Sequence, residues 1–185
     1  MTAVCVRQPK LRWLVPDNLA DLLIGQTLAR IERRAKYLLF YFDHGCLLIH
    51  LGMSGSLRIL SSFANQIQDA TPKETITSPP EKHDHVDIIF SECLLRFNDP
   101  RRFGSVLWLG TQPYEHPLLK NLGPEPLSDE FTGKHLYKTA QKRKLCVKQF
   151  IMDQGVVTGV GNIYANEALF ASGIRPDRAS GNVSL

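Results

Sequence analysis

A chain of 185 residues, 43% hydrophobic and 22% charged, has the composition of an ordinary soluble globular protein and room for one large domain or two small ones. Its 22 Lys+Arg against 18 Asp+Glu leave a net charge of +4, only a mild lean toward a polyanionic partner. No apolar run approaches membrane-spanning length and the N-terminus lacks the apolar stretch of a signal peptide, so the expectation is a cytoplasmic protein with no membrane contact.

From the start to about residue 110 the pattern is mostly β. Short runs rich in branched and aromatic residues predict strands at Leu11–Val15, Thr27–Arg33, Tyr37–Phe42, Cys46–His50, Ser56–Leu60, Val86–Phe90, Cys93–Phe97 and Ser105–Trp108. Many short strands with turn signals between them suggest an antiparallel sandwich or barrel. The polar, proline-containing stretch Ser61–Lys82 has little to bury and is expected to be a flexible loop. Thr111–Pro126 carries four prolines and one glycine and reads as a linker. Beyond it the period turns helical. Ser128 or Asp129 is placed to cap a helix to about Gln141, Lys144–Asp153 suggests another, and Asn162 is placed as N-cap of a helix over Ile163–Ser172 that Gly173 closes. The fold class is therefore α+β: a β-sandwich over 1–110, a linker over 111–127 and a helical domain over 128–185.

The four cysteines, Cys5, Cys46, Cys93 and Cys146, are scattered with no CxxC. No structural zinc and no disulfide framework is read from them; Cys46 and Cys93 lie in apolar runs and are expected as buried thiols. Basic residues gather in three clusters: Arg30, Arg33, Arg34 and Lys36; Arg96, Arg101 and Arg102; and Lys138, Lys142, Arg143, Lys144 and Lys148. Such clusters suit a nucleic acid, although any one of them can equally be a solvated face.

Four short motifs add chemistry. In Asn98-Asp99-Pro100-Arg101-Arg102-Phe103-Gly104, Pro100 and Gly104 shape a turn that carries two guanidinium groups and a ring able to wedge between bases. Arg33-Arg34-Ala35-Lys36 sets Lys36 beside two cations, a setting that favours an unprotonated amine able to attack a carbonyl carbon. His50-Leu51-Gly52-Met53-Ser54-Gly55 projects Met53, a core filler by default but in a nucleic-acid binder a plug for the hole left by an extruded base. Gly159-Val160-Gly161-Asn162 is neither a dinucleotide fingerprint nor a Walker loop, and suits a phosphate-gripping hairpin at a helix N-terminus. A further run, Lys82-His83-Asp84-His85-Val86-Asp87, invites a metal reading. Strand alternation would send His83 and His85 to one face, but no third ligand is evident, and a structural or phosphate-contacting histidine is favoured.

Taken together and in this order, the motifs resemble the formamidopyrimidine-DNA glycosylase family of bacterial repair enzymes. The resemblance runs from about Leu11 to Pro176, with only Ser61–Pro80 looking inserted. It implies excision of oxidised purines (8-oxoguanine and formamidopyrimidines) from duplex DNA, followed by β,δ-elimination at the abasic site. It implies an N-terminal β-sandwich, a helical domain with a helix–two-turns–helix motif, and a zinc finger. By motif, Lys36 matches the lysine that assists elimination, and Met53, Arg101 and Phe103 match the trio that fills the void and wedges the duplex. His83 and Arg101 match DNA contacts, Arg143 and Lys148 further phosphate or lesion contacts, and Asn162 the asparagine that grips phosphates at the lesion.

The departures are as definite. The family's N-terminal proline nucleophile and following glutamate have no match in Met1-Thr2-Ala3-Val4, which looks like the strand after the family's first helix. The second helix of the two-turn motif and the zinc finger also have no match. The resulting expectation is a monomeric fragment without cofactor or metal, bound to DNA containing oxidised purines or abasic sites, nucleoid-associated, and at most weakly lyase-active through Lys36. A catalytically dead damaged-DNA-binding module is the rival. An RNA-binding protein with a similar two-turn motif would leave the motifs of the β region unused.

Overall fold

The structure, a computed structural model, describes residues 1–61 and 79–184. They fall into two compact units, residues 1–113 and 114–185.

The first unit holds two four-stranded antiparallel sheets. Strands β1 (Ala3–Val6), β6 (Asp84–Ile89), β7 (Cys93–Asn98) and β5 (Ser56–Ser61) form one in that order; β2 (Leu28–Arg34), β3 (Tyr37–Phe42), β4 (Gly45–His50) and β8 (Ser105–Gly110) form the other. Alternation along the strands builds the core between them. Phe40 and Phe42, Leu47 and Ile49, and Val106 come from one sheet, and Val86, Ile88, Leu95 and Phe97 from the other. Burial of each contributes about 1.5–3 kcal/mol. A five-residue helix α1 (Leu19–Leu23) joins Leu19 and Leu23, one turn apart, to the same cluster together with Val15.

The opposite face of the first sheet is polar yet closed. Arg96 donates from Nε and Nη2 to the two carboxylate oxygens of Asp87, both at 2.9 Å, and its Nη1 lies 3.6 Å from Asp84. Arg7 completes Asp87 at 2.5 Å, while Arg58 at 2.6 Å and Asn98 at 2.8 Å complete Asp84. Asp84 and Asp87 share this face because the β6–β7 register shifts between Asp84 and Val86, leaving His85 as a bulge.

The second unit holds helices α2 (Pro117–Lys120), α3 (Gly133–Ala140), α4 (Val147–Met152) and α5 (Asn162–Ala171). Ala140, Phe150, Val156 and Val157 form its core, with Leu136, Ile151 and Val160 packed against it.

Several expectations need correction. Leu11–Val15 is not a strand: Pro9 accepts from both Leu11 N and Val15 N, closing a turn with only an isolated Lys10–Leu14 bridge. The helix expected from Ser128 begins at Gly133, because Ser128 folds a local turn with Glu125 and Phe131, and Thr132 caps instead by accepting from His135 N. The helix expected over Lys144–Asp153 is shortened to Val147–Met152, since Leu145 and Val147 bond as extended chain to Ser180 and Arg178. Gly161, not Asn162, is the N-cap of α5; Asn162 is its first residue. The linker expected over 111–127 contains a 3₁₀ turn, Pro113–Glu115, as well as α2. Cys93 is half-buried rather than buried. The loop expected over Ser61–Lys82 falls, for residues 62–78, outside the described residues.

Candidate nucleic-acid interface

In the first unit two loops come together. One follows β4 and carries Met53; the other links β7 to β8 and carries Arg101 and Phe103. A Cβ on Gly52, whose φ is +68°, would stand 2.7 Å from both Phe103 C and Gly104 N, so the loops touch backbone to backbone. Arg101 Nη1 lies 3.7 Å from Met53 Sδ. Met53 is 75% exposed and Phe103 46%, which removes the core explanation for both. His83 is half-buried before β6, its ring 6.3 Å edge-on from that of His85, and its carbonyl accepts from Asp99 N at 3.0 Å.

Lys36 sits on the two-residue hairpin between β2 and β3. Ala35, the buried residue before it, takes φ +56°, and Arg33 Nη1 donates to the Ala35 carbonyl at 2.8 Å. His50, which no sequence motif marks for a role of its own, pairs across the strands with Tyr37 at a ring separation of 5.1 Å. Burial lowers the His50 pKa below the ordinary 6.5, and the charges of Arg12 and Lys36 lower it further against an opposing pull from Asp99. Arg12, Lys36, Asp99 and His50 therefore form one electrostatic neighbourhood.

The second unit offers a different surface. Asn162, Ile163 and Tyr164 lie exposed at the start of α5, and their amides precede the first intrahelical bond, Ala165 N to Gly161 O at 2.9 Å. Gln154, another residue the sequence reading passed over, shapes the glycine hairpin. Its Oε1 accepts from Gly159 N at 2.9 Å and its Nε2 donates to Val160 O at 3.1 Å, while Gly159 takes φ +78°. Exposed amides at the positive end of a helix favour an anion. Arg143 is exposed, 3.8 Å from Asp153 and stacked over Phe150 at 5.4 Å; Lys148 is half-buried on α4. Among the described residues no three His, Cys, Asp or Glu side chains converge, so nothing here fits the zinc centre that the resemblance implies, and His83 and His85 lack a third ligand.

Two antiparallel four-stranded sheets followed by a helical unit make an α+β protein, and each of the two parts has a counterpart among known families. Residues 1–106 match the model of the formamidopyrimidine-DNA glycosylase N-terminal domain and residues 122–185 that of the formamidopyrimidine-DNA glycosylase H2TH domain. The chain belongs to the formamidopyrimidine-DNA glycosylase family. It is 59% identical over 181 residues to the formamidopyrimidine-DNA glycosylase of Psychromonas ingrahamii, covering 98% of this chain and 62% of that protein. With that of Syntrophotalea carbinolica it is 57% identical over 185 residues, 100% of this chain and 63% of the relative. The chain thus spans less than two thirds of the length of these relatives. Among solved structures, the Lactococcus lactis Fpg bound to DNA with an abasic site superimposes with a TM-score of 0.84 at 29% identity, covering 100% of this chain and 64% of that one. The same enzyme in complex with FAPY-dG-containing DNA gives 0.84 at 29% identity, with 100% and 65% covered.

Proposed function

We propose that this chain serves base-excision repair, holding duplex DNA at an oxidised purine (8-oxoguanine or a formamidopyrimidine) or at an abasic site, as a monomer in the nucleoid-bearing cytoplasm. The carrying observation is the pair of touching loops that expose Met53, Arg101 and Phe103 together. Turning a nucleotide out of the stack costs a few kcal/mol, least where the base is damaged or missing. Stacking of a base on Phe103 offsets about 1–3 kcal/mol of that. Met53 occupies the vacated space, Arg101 and His83 contact the strands, and the α5 amides with Asn162 hold a phosphate while Arg143 and Lys148 supply further cationic contacts. These residues require no metal for those roles.

Lys36 carries the chemical part of the reading, by assisting β,δ-elimination at the abasic sugar. Its Nζ condenses with the C1′ aldehyde of the ring-opened sugar, expelling water to give an imine that borohydride reduces to a stable secondary amine. Borohydride trapping on abasic duplex should yield a covalent adduct that Lys36→Ala diminishes. No adduct, or one that Lys36→Ala leaves unchanged, refutes the role of Lys36. Salt-dependent preference for abasic duplex without any adduct identifies a binding module that does not cut. In the same titrations Arg101→Ala should reduce the slope of log affinity against log salt by about one.

A further inference from the structure

Asp99 is fully buried, and among the described residues its carboxylate accepts from two backbone amides and one serine hydroxyl. Its Oδ1 accepts from Arg101 N at 3.2 Å and its Oδ2 from Gly104 N at 2.7 Å, which fixes both ends of the Arg101–Phe103 arm. The same Oδ1 accepts from Ser54 Oγ at 3.2 Å, across 45 positions of sequence, in the residue after Met53. Behind it, the Asp99 carbonyl accepts from Arg102 N at 3.2 Å and lies 2.8 Å from His85 Nε2, an arrangement that requires the proton on Nε2. A carboxylate that only shaped its own turn would need the Arg101 and Gly104 bonds alone. The Ser54 bond reaches the other arm.

We infer that Asp99 is the positioning residue that locks the Met53 loop to the Arg101–Phe103 loop, so that both arms enter a duplex as one body. This rests on the wedge reading above. A preorganised pair avoids ordering two separate loops at the moment of binding, which makes the contributions of Met53 and Phe103 mutually dependent.

The test is a double-mutant cycle read by fluorescence anisotropy on a labelled duplex bearing a tetrahydrofuran abasic-site analogue, with the intact duplex as reference. In the wild-type background Met53→Ala and Phe103→Ala should be coupled by up to about tenfold in affinity, the change that one lost hydrogen bond produces. In the Ser54→Ala background the coupling should fall toward one, and Ser54→Thr, which keeps the hydroxyl, should retain it. A simple loss of stability lowers the active fraction of every variant alike and leaves the coupling intact. Asp99→Asn should match Ser54→Ala where it folds; Ser54 is exposed, so Ser54→Ala decides the matter where Asp99→Asn does not fold. Absent coupling in the wild type, or coupling that survives Ser54→Ala, overturns the inference. A wild-type chain that does not distinguish the abasic-analogue duplex from the intact one overturns the wedge reading instead.

Discussion

Replacing Arg96 with leucine tests the polar face of the first sheet. The guanidinium is 3% exposed and meets Asp87, 2% exposed, through two hydrogen bonds of 2.9 Å, with Asp84 at 3.6 Å. Removing one partner of a buried pair costs about 3–5 kcal/mol, because it strands a charge. Here Arg7 still reaches Asp87 and Arg58 still reaches Asp84, so the lower end applies, about 3 kcal/mol. With a urea m-value of about 2 kcal/mol/M, the unfolding midpoint should fall by about 1.5 M at pH 7. The chain's two tryptophans, Trp13 and Trp108, both lie in the first unit, so their fluorescence follows that unit alone.

The pH dependence gives a second reading of the same variant. Burial pushes the Asp87 carboxyl up, but the hydrogen bonds from Arg96 and Arg7 outweigh it and leave the pKa below the ordinary 3.8. For Asp84, bonds from Asn98, Glu81 N and Arg58 likewise outweigh burial. A carboxyl whose folded pKa is depressed stabilises the fold above its unfolded pKa, and that stability is lost as pH falls through the folded value. The gap between wild type and Arg96→Leu should therefore narrow between about pH 5 and pH 3. A gap smaller than about 1 kcal/mol at pH 7, or one unchanged at pH 3, refutes the assignment of the stability to this ion network.

Gly104→Ala would set a Cβ 2.5 Å from His50 O and 2.6 Å from Phe97 Cζ, so stability should drop by about 1–3 kcal/mol or more in the same urea assay; an unchanged midpoint would show that the loop gives way freely. Burial pushes the Cys46 thiol up to about 12, with Glu32 adding to the effect. At pH 8 a disulfide reagent should label exposed Cys5 in the native protein and Cys46 only in urea, with fast native labelling of Cys46 as the contrary result.

Strands β2 to β8 were legible because short runs of branched and aromatic residues end at turn signals, as Tyr37–Phe42 does before Asp43-His44-Gly45. Leu11–Val15 carried the right residue types, but Pro9 on one side and Pro16 on the other bend the chain into a turn that composition alone does not reveal. The helix start expected at Ser128 or Asp129 slipped to Gly133, because Ser128 folds back on Glu125 and Thr132 supplies the cap. At the candidate site, the exposed side chains stood out as motifs. Their organisers did not. Asp99, Ser54 and Gln154 owe their roles to partners brought near by folding, and a buried aspartate in a turn looks in sequence like any other turn residue. His50 was passed over for the same reason, since its environment comes from Tyr37 and Arg12 on other segments.

The bulge at His85 has a consequence best put as parity. On a regular strand, residues three apart face opposite ways, so Asp84 and Asp87 would divide between core and outer surface. One supernumerary residue changes odd to even. Both carboxylates then face Arg96, and the displaced imidazole turns its Nε2 to the carbonyl of Asp99 beneath the exposed arms. The His-Asp-His-Val-Asp run thus acts as a counting device. Deleting His85 would leave Asp84 and Asp87 two residues apart and still on one face, so the ion network would keep its geometry while the support under Asp99 was lost.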